Sequence, residues 1–491
     1  MYLLGYDIGS SSTKAAIVEV DTGRIVKSSH YPKTEMPVIS HQAGWAEQHP
    51  EDWWDNVVQV THELAEEVDI SEVKAIGLSY QMHGLVLVDA LHKALRPSII
   101  WSDSRAVPLG EAATSRLGEE KCLSHLLNSP GNFTATKLKW VQENEPEIYA
   151  NVHKFMLPGD FIAMKMTDEI STTIQGLSEG ILWDYKENQV ADFLLNDLQI
   201  DPQLVPDLVP CIGTQGRLSK IAAEALGLKE GTPVAYRAGD QPNNAMTMGV
   251  TEPGEVAASG GTSGVVYAVM DKPVYDHRSR VNGFAHINHT AEQNRIGVLL
   301  CINGAGSQYA WIKNTIAEGF TYQQMEAHAL KVPIGAEGLK VFPFGNGAER
   351  MLDNKKLGAQ IANLQFNQHG QGHIFRATLE GIAFSFVYGI EILKELGISP
   401  SKIRVGDDNL FQSEIFSKTI ATLVGSQIEV IHSTGAAGAA RAAGVGCGLY
   451  SSLKTAPVGD TIIKTYAPDD AAHIYQEAYD SWNKALKELL D

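Results

Sequence analysis

The sequence predicts an α/β protein built from two related halves, and three observations carry that prediction. At 491 residues the chain is too long for one hydrophobic core and suggests roughly two to four domains. Short apolar runs repeatedly end in polar tips and give way to segments of helical spacing, the arrangement by which α/β folds place ligands. A strand, a turn of small and hydroxyl residues and a second strand open the chain, and the same pattern returns about half a chain length later.

Tyr2–Asp7 reads as a buried strand, Gly9–Ser12 as a turn and Thr13–Val20 as the returning strand, which closes at Asp21-Thr22-Gly23. Pro50–Glu67 has helical spacing, with Pro50 at its start, acidic residues in its first turn and an apolar face of Trp54, Val57, Val58 and Leu64. Val73–Leu78 is a strand running into the polar break SYQMHG, and Leu85–Asp89 is another. Pro97–Trp101 leads into Ser102-Asp103-Ser104-Arg105, and helical segments follow around Lys137–Glu143 and Pro158–Met166.

Near the middle, AYRAGDQPNNAMTMGV sets one carboxylate, Asp240, between glycine and amides after a short apolar run, which suits a base at the mouth of a cleft. The second hairpin, Glu255–Met270, turns on GGTSG, whose exposed N–H groups and hydroxyls are the chemistry that cradles phosphate. Ordinary turns collect the same residues, and two unrelated hairpins would give the same pattern. With no low-complexity linker between the halves, a hinge near Gly249–Gly254 is expected, dividing the chain into domains 1–248 and 249–491.

In the second half a strand runs through Leu299 into Gly304–Ser307 and then a helix. Thr378–Leu396 is a helix with Gly397 past its end, and Ile403–Val405 is a short strand entering Gly406-Asp407-Asp408-Asn409. Ser433–Gly448 is rich enough in small residues to pack tightly or approach a ligand, and Ala471–Leu490 is a terminal amphipathic helix.

Composition excludes several classes. With 58 acidic against 39 basic residues the net charge is -19, which argues against a nucleic-acid backbone as partner and leaves a small nucleotide open. Cys122, Cys211, Cys301 and Cys447 form no CxxC, so neither a disulfide framework nor a zinc site is expected. The N-terminus lacks the charged start and long apolar run of a signal sequence, and no apolar stretch reaches the roughly 18 residues of a membrane span. A cytoplasmic location is expected.

The chain resembles the FGGY carbohydrate kinases, and within that family it is most similar to the xylulokinases. DIGSSSTK at Asp7–Lys14, GWAEQHPEDWW at Gly44–Trp54, QMHG at Gln81–Gly84, WSDSR at Trp101–Arg105, AGDQ at Ala238–Gln241, GGTSG at Gly260–Gly264 and ATLEGIAFS at Ala377–Ser385 occur in the family's order. The resemblance implies the two-domain actin-like fold, also called sugar kinase or ribonuclease H-like, with ATP and sugar held in an interdomain cleft. It implies ATP-dependent phosphorylation of D-xylulose to D-xylulose 5-phosphate, with Mg2+. Another FGGY acceptor, such as ribulose, gluconate or a related polyol, is the nearest alternative, and an actin-like ATP-switched protein that is not a kinase is the more distant one.

By the same resemblance Asp240 is the general base on the sugar hydroxyl, and Asp7 holds magnesium, through water. Gly9, Ser10, Ser11 and Thr13 surround the phosphates from one half, and Gly261, Thr262 and Gly304 do so from the other. Lys14 either adds charge there or is a solvated strand residue. Met82, His83, Asp103 and Gln241 are the acceptor side, with Trp45 or the Trp53-Trp54 pair as a wall, and Gly406 and Asn409 lie on the adenine side. The chain departs from the family at Gly406–Asn409, where GGGA is common. It departs again at Gln241-Pro242, and at Gly347-Ala348-Glu349-Arg350-Met351, where GERTP is common. Nucleotide preference and sugar orientation are the properties these departures touch. A homodimer is the expected assembly.

Overall fold

The computed structural model describes residues 1–407, 409–457 and 462–491. Its architecture rests on two mixed sheets, of six and seven strands, that share a central topology and differ toward their edges. The first contains β1 (Tyr2–Ile8), β2 (Thr13–Glu19), β3 (Ile25–Tyr31), β4 (Val73–Tyr80), β5 (Ile212–Arg217) and β6 (Pro233–Gly239), in the order β5-β6-β4-β1-β2-β3. The second contains β7 (Val256–Gly260), β8 (Gly264–Met270), β9 (Asn282–Ala285), β10 (Ile296–Ile302), β11 (Lys402–Gly406), β12 (Gln427–Ile431) and β13 (Ile462–Tyr466), in the order β9-β10-β8-β7-β11-β12-β13.

In both sheets an opening hairpin pairs antiparallel, its first strand lies parallel to the strand after the first crossover, and that strand lies parallel to the next. The repeat of hairpins noted in the sequence is therefore a repeat of whole sheets. β1 and β4 are apolar along nearly their full length because both sheet faces are covered.

One face of the first sheet carries the helices Pro50–Ala65, Pro158–Thr167 and Lys220–Leu226, which close a core around Trp53, Val57, Ile76, Leu78 and Phe161. In the first of these helices the fully buried residues are Trp53, Val57, Val60, Thr61 and Leu64. Trp54 and Val58, expected on the inner face, are only partly buried. The helix is turned because Trp53 finds a partner inside: its Nε1–H donates to Gln48 Oε1 at 3.1 Å.

The opposite face is covered by the helix Gly435–Gly446, which comes from the second half of the chain. Its small residues let it lie directly on the strands. A Cβ on Gly77 of β4 would stand 2.0 Å from the Ala439 carbonyl oxygen, and one on Gly5 of β1 would stand 1.9 Å from that of Ala436. The small-residue stretch thus serves tight packing, and the halves on either side of residue 248 share this helix. Around the second sheet the helices Gln371–Glu395, Glu414–Val424 and Ala472–Leu490 pack a separate core. The first begins well before Thr378, and buried Arg376 and Glu380 satisfy each other on it at 2.7 Å.

Candidate active site

Register places the site. Ile8 of β1 pairs with Tyr80 of β4, and Tyr80 pairs with Gly239 of β6, so three parallel strands end in one row. Asp7 stands one step inside that row and Asp240 one step beyond it. Asp240 opens the helix Asp240–Thr247 instead of sitting in a loop. Burial pushes its carboxyl up to about 7, the charge of Asp7 pushes the same way, and hydrogen bonds from the main chain and side chain of Gln241 oppose them. A half-ionised carboxylate near neutral pH is suited to accept a proton from an alcohol.

Asp7 Oδ1 accepts a hydrogen bond from Ser79 Oγ at 3.0 Å. Its other oxygen is close to Gly435, where a Cβ would come within 3.1 Å, so the N-terminus of the crossing helix meets this carboxylate. Lys14 lies directly opposite Asp7 across the β1–β2 hairpin and is exposed. Gly9, Ser10 and Ser11 are open to solvent to varying degrees in the turn between them. Thr13, by contrast, is fully buried, and its hydroxyl has no hydrogen-bond partner among the described residues. The Thr13 side chain thus has no exposed surface, unlike the turn residues before it.

On the second half, Thr262 is exposed at the tip of the β7–β8 turn. The helix Ala305–Thr315 starts against that turn, with Gly306 N–H donating to the Gly261 carbonyl at 3.0 Å and Ser307 N–H to that of Thr262 at 3.0 Å. Gly304 caps the same helix and is jammed against the Pro343 carbonyl, so Gly261, Thr262 and Gly304 form one cluster. Gly406 ends β11 at the C-terminal edge of this sheet. Asp407 beside it is no bare charge, because its Oδ2 lies 2.5 Å from His432 Nδ1. Asp408 and the side chain of Asn409 lie outside the described residues.

The acceptor side converges on Gly239. A Cβ there would meet Met82 Cγ at 2.5 Å and Glu179 Oε2 at 2.6 Å, which sets Met82 beside the residue that precedes Asp240. His83 adopts a left-handed backbone with φ 62. Its ring meets Phe133 edge-on at 4.9 Å and Phe284 of β9 at 5.2 Å, so both halves of the chain hold it. Nδ1–H donates to the Glu179 carbonyl at 2.8 Å, and burial lowers the ring pKa to about 3. The ring is therefore neutral, and Nε2 is left as an acceptor for a hydroxyl donor.

Asp103 is not in the pocket. It has no exposed surface, and its oxygens are taken up by Ala46 N–H at 2.6 Å and by Arg105, whose Nη2 donates at 2.7 Å. Arg105 also pairs with Glu47 at 2.7 Å and stacks on Trp45 at 3.8 Å, so Asp103 anchors the WSDSR loop from inside. Trp45 is thereby committed to Arg105, and Trp53 to the core.

Several neighbours of the site were given no role there by the sequence. Glu179, at the end of the short helix Ile174–Glu179, is buried, and that burial holds its carboxyl well above the usual range while Asp240 adds to the effect. Trp101 is 54% exposed, and its Nε1–H reaches Ser10 Oγ at 3.3 Å on the phosphate turn. Arg350 is close enough to lower the His83 pKa and to act on Cys301, and burial depresses its own guanidinium. Its loop is held by Glu349, which accepts the Asn303 N–H at 3.1 Å. The GWAEQ and WSDSR motifs drew attention to their own residues, whereas these groups come together only through the fold.

Comparison with known proteins gives a consistent result. The profile of the FGGY family of carbohydrate kinases, N-terminal domain, matches residues 2–247, and that of the C-terminal domain matches residues 256–447. Xylulose kinase of Bacillus subtilis (strain 168) is 31% identical over 470 residues, covering 92% of this chain and 90% of that protein. Xylulose kinase of Escherichia coli (strain K12) is 28% identical over 498 residues, covering 100% of this chain and 99% of that protein. Among solved structures, that of xylulose kinase from Rhodospirillum rubrum superposes with a TM-score of 0.90 at 25% identity, covering 100% of this chain and 99% of that one. Among the described residues no helix is long and apolar enough to cross a membrane, and no group of three or more His, Cys, Asp or Glu is placed to hold a metal ion.

Proposed function

The chain belongs to the FGGY family of carbohydrate kinases, and from that membership we propose that it transfers the γ-phosphoryl group of ATP to the terminal hydroxyl of D-xylulose, giving D-xylulose 5-phosphate and ADP. The observation that carries this reading is the packing of Met82 against Gly239, the residue before Asp240, with the neutral ring of His83 on the same loop. That arrangement supports an acceptor held by its hydroxyls beside a base.

Phosphoryl transfer asks the protein for positioning, charge stabilisation and a proton acceptor. In the proposed reaction Met82 and His83 hold the acceptor, a sugar hydroxyl donating a hydrogen bond to His83 Nε2. Asp240 takes the proton of the attacking hydroxyl as its oxygen bonds to phosphorus and the bond to the ADP oxygen breaks. The turns 9–13 and 261–262 offer main-chain N–H groups to the phosphates, with Gly304 backing the second turn and Lys14 adding charge to the first. Gly406 and Asn409 border the nucleotide base. In this division residues 1–248 supply the acceptor contacts, the base and one phosphate turn, and residues 249–491 supply the other phosphate turn and the border of the nucleotide base.

Asp7 and Asp240, close enough to repel, fit a divalent cation at their opening. As no larger set of protein ligands surrounds them, Asp7 would hold Mg2+ with phosphate oxygens and water completing the shell. Bound there, the ion neutralises phosphate charge.

A coupled assay of ADP release across ketopentoses, polyols and sugar acids tests the reading. Turnover highest on D-xylulose is expected. Background rates on D-xylulose beside clear turnover of another sugar would move the acceptor, and ATP hydrolysis indifferent to every sugar would remove the kinase reading altogether.

A further inference from the structure

The helix Thr134–Asn144 carries a lysine that the proposed reaction has not used. Lys137 has no exposed surface, and its ammonium donates to two main-chain carbonyls, that of His83 at 2.8 Å and that of Ile100 at 3.0 Å. These carbonyls belong to separate polar tips, the QMHG break after β4 and the start of WSDSR. Thr134 at the head of the same helix donates to the Gly84 carbonyl at 3.2 Å, so one helix face grips the QMHG loop at two successive residues.

Burial of this ammonium is costly. Desolvation lowers it from 10.5 to about 7, and the nearby Asp103 charge only partly offsets that. An apolar side chain of similar volume would serve packing alone as well or better. What the ammonium holds, however, is a strained residue. A non-glycine residue in the left-handed region costs on the order of 1 kcal/mol or more and persists only where its surroundings impose it. At His83 the ring is fixed by Glu179, Phe133 and Phe284, and the carbonyl is fixed by Lys137.

We infer that Lys137 is a positioning residue for the acceptor: by tying the His83 carbonyl to the Ile100 carbonyl it keeps His83 in its left-handed conformation, with Nε2 presented to the sugar beside Asp240. The inference rests on Met82 and His83 being the acceptor contacts. It predicts a defect concentrated on the acceptor, because Lys137 bonds the His83 carbonyl directly and meets the phosphate turn only indirectly, through Ile100 and the Trp101 that follows it.

The test compares wild type with Lys137→Met in steady-state kinetics, using whichever acceptor the wild type phosphorylates, with thermal unfolding alongside. Lys137→Met is expected to raise the KM for the acceptor at least tenfold while the KM for MgATP stays within twofold. Equal loss on both substrates, or unchanged acceptor KM in a folded variant, overturns the inference. A second measurement needs no variant: in 15N-lysine-labelled wild type, the Lys137 ammonium, titrating near pH 7, should shift on addition of the acceptor and not on addition of MgADP, and an unmoved signal also overturns it. If the wild type ignores D-xylulose but phosphorylates another sugar, the substrate reading fails while this comparison still decides the role of Lys137.

Discussion

Asp7 lies on β1 and Asp240 directly follows β6, two strands separated by a single parallel neighbour, and the negative charge of Asp7 raises the pKa of Asp240. In the proposed reaction the pair joins the two functions of the site, Asp7 serving the nucleotide and Asp240 the acceptor. Its mutual repulsion is relieved when a cation or a proton arrives.

Removing the base should separate binding from chemistry. Asp240→Ala is expected to lower kcat by about 10²–10⁴-fold, the usual contribution of a positioned general base. MgATP binding, followed by calorimetry, should stay within a few-fold of wild type. Retention of more than about a tenth of the wild-type kcat would take the base role from Asp240.

The acid limb of kcat/KM for the acceptor should follow Asp240. The base acts when ionised, and burial with the Asp7 charge brings its pKa to about 7 in the free protein. Activity should therefore fall as pH drops below about 7, approaching tenfold per unit. The carbon-13 signal of the Asp240 carboxyl should titrate in the same range, and Asp7→Asn should move that titration to lower pH by removing the neighbouring charge.

The same shift bears on stability. Asp240 has a folded pKa near 7 against 3.8 for the ordinary carboxyl, so the folded protein binds more protons than the unfolded chain between those values. Its contribution is fully present below the lower value and is lost as pH rises through the upper one. Without nucleotide or metal, Asp240→Asn should thus unfold at higher temperature than wild type at pH 8 and gain little at pH 4. The gain at pH 8 is about 1–2 kcal/mol once solvent screening at this partly exposed group is allowed for. Differential scanning calorimetry at the two pH values measures it.

Strand ends and the residues just past them were readable because alternation, turn chemistry and glycine are local properties. Both opening hairpins, β4, β6 and the helix after Gly304 lie where apolar runs and turn residues point. The face of the Pro50–Ala65 helix was misjudged because adjacent tryptophans satisfy helical spacing in either phase, and a hydrogen bond to Gln48 decides between them. Asp103 read as a ligand because a carboxylate at a strand tip looks the same whether it faces a pocket or an arginine two residues on. Glu179 and the ammonium of Lys137 gave no signal at all, and Arg350 only a departure from the family's loop, because each acts across elements distant in sequence.

Asp103 supplies a direct check of that correction. Asp103→Ala removes the partner of a buried arginine and leaves the Ala46 N–H unsatisfied, which should cost about 3 kcal/mol or more in denaturant unfolding. For the fraction that folds, the KM for the acceptor should change less than for His83→Ala. A pure acceptor-binding defect at unchanged stability would return Asp103 to the pocket.

The crossing helix links packing to the site, and Gly77→Ala probes that link. The new Cβ would stand 2.0 Å from the Ala439 carbonyl oxygen, main chain that cannot rotate aside, so the helix Gly435–Gly446 must shift outward from β4. Overpacking of this kind costs about 1–3 kcal/mol. The shift also reaches Gly435, whose Cα end of the helix abuts Asp7 Oδ2, so the KM for MgATP should rise together with the loss of stability while the KM for the acceptor changes less. Gly370→Ala is the control, because a Cβ there meets nothing within 4 Å and its φ of -109 is open to any residue. It should leave unfolding and both KM values near those of wild type. A Gly77→Ala protein that lost stability with MgATP binding intact would show that the helix supports the sheet without setting the geometry around Asp7.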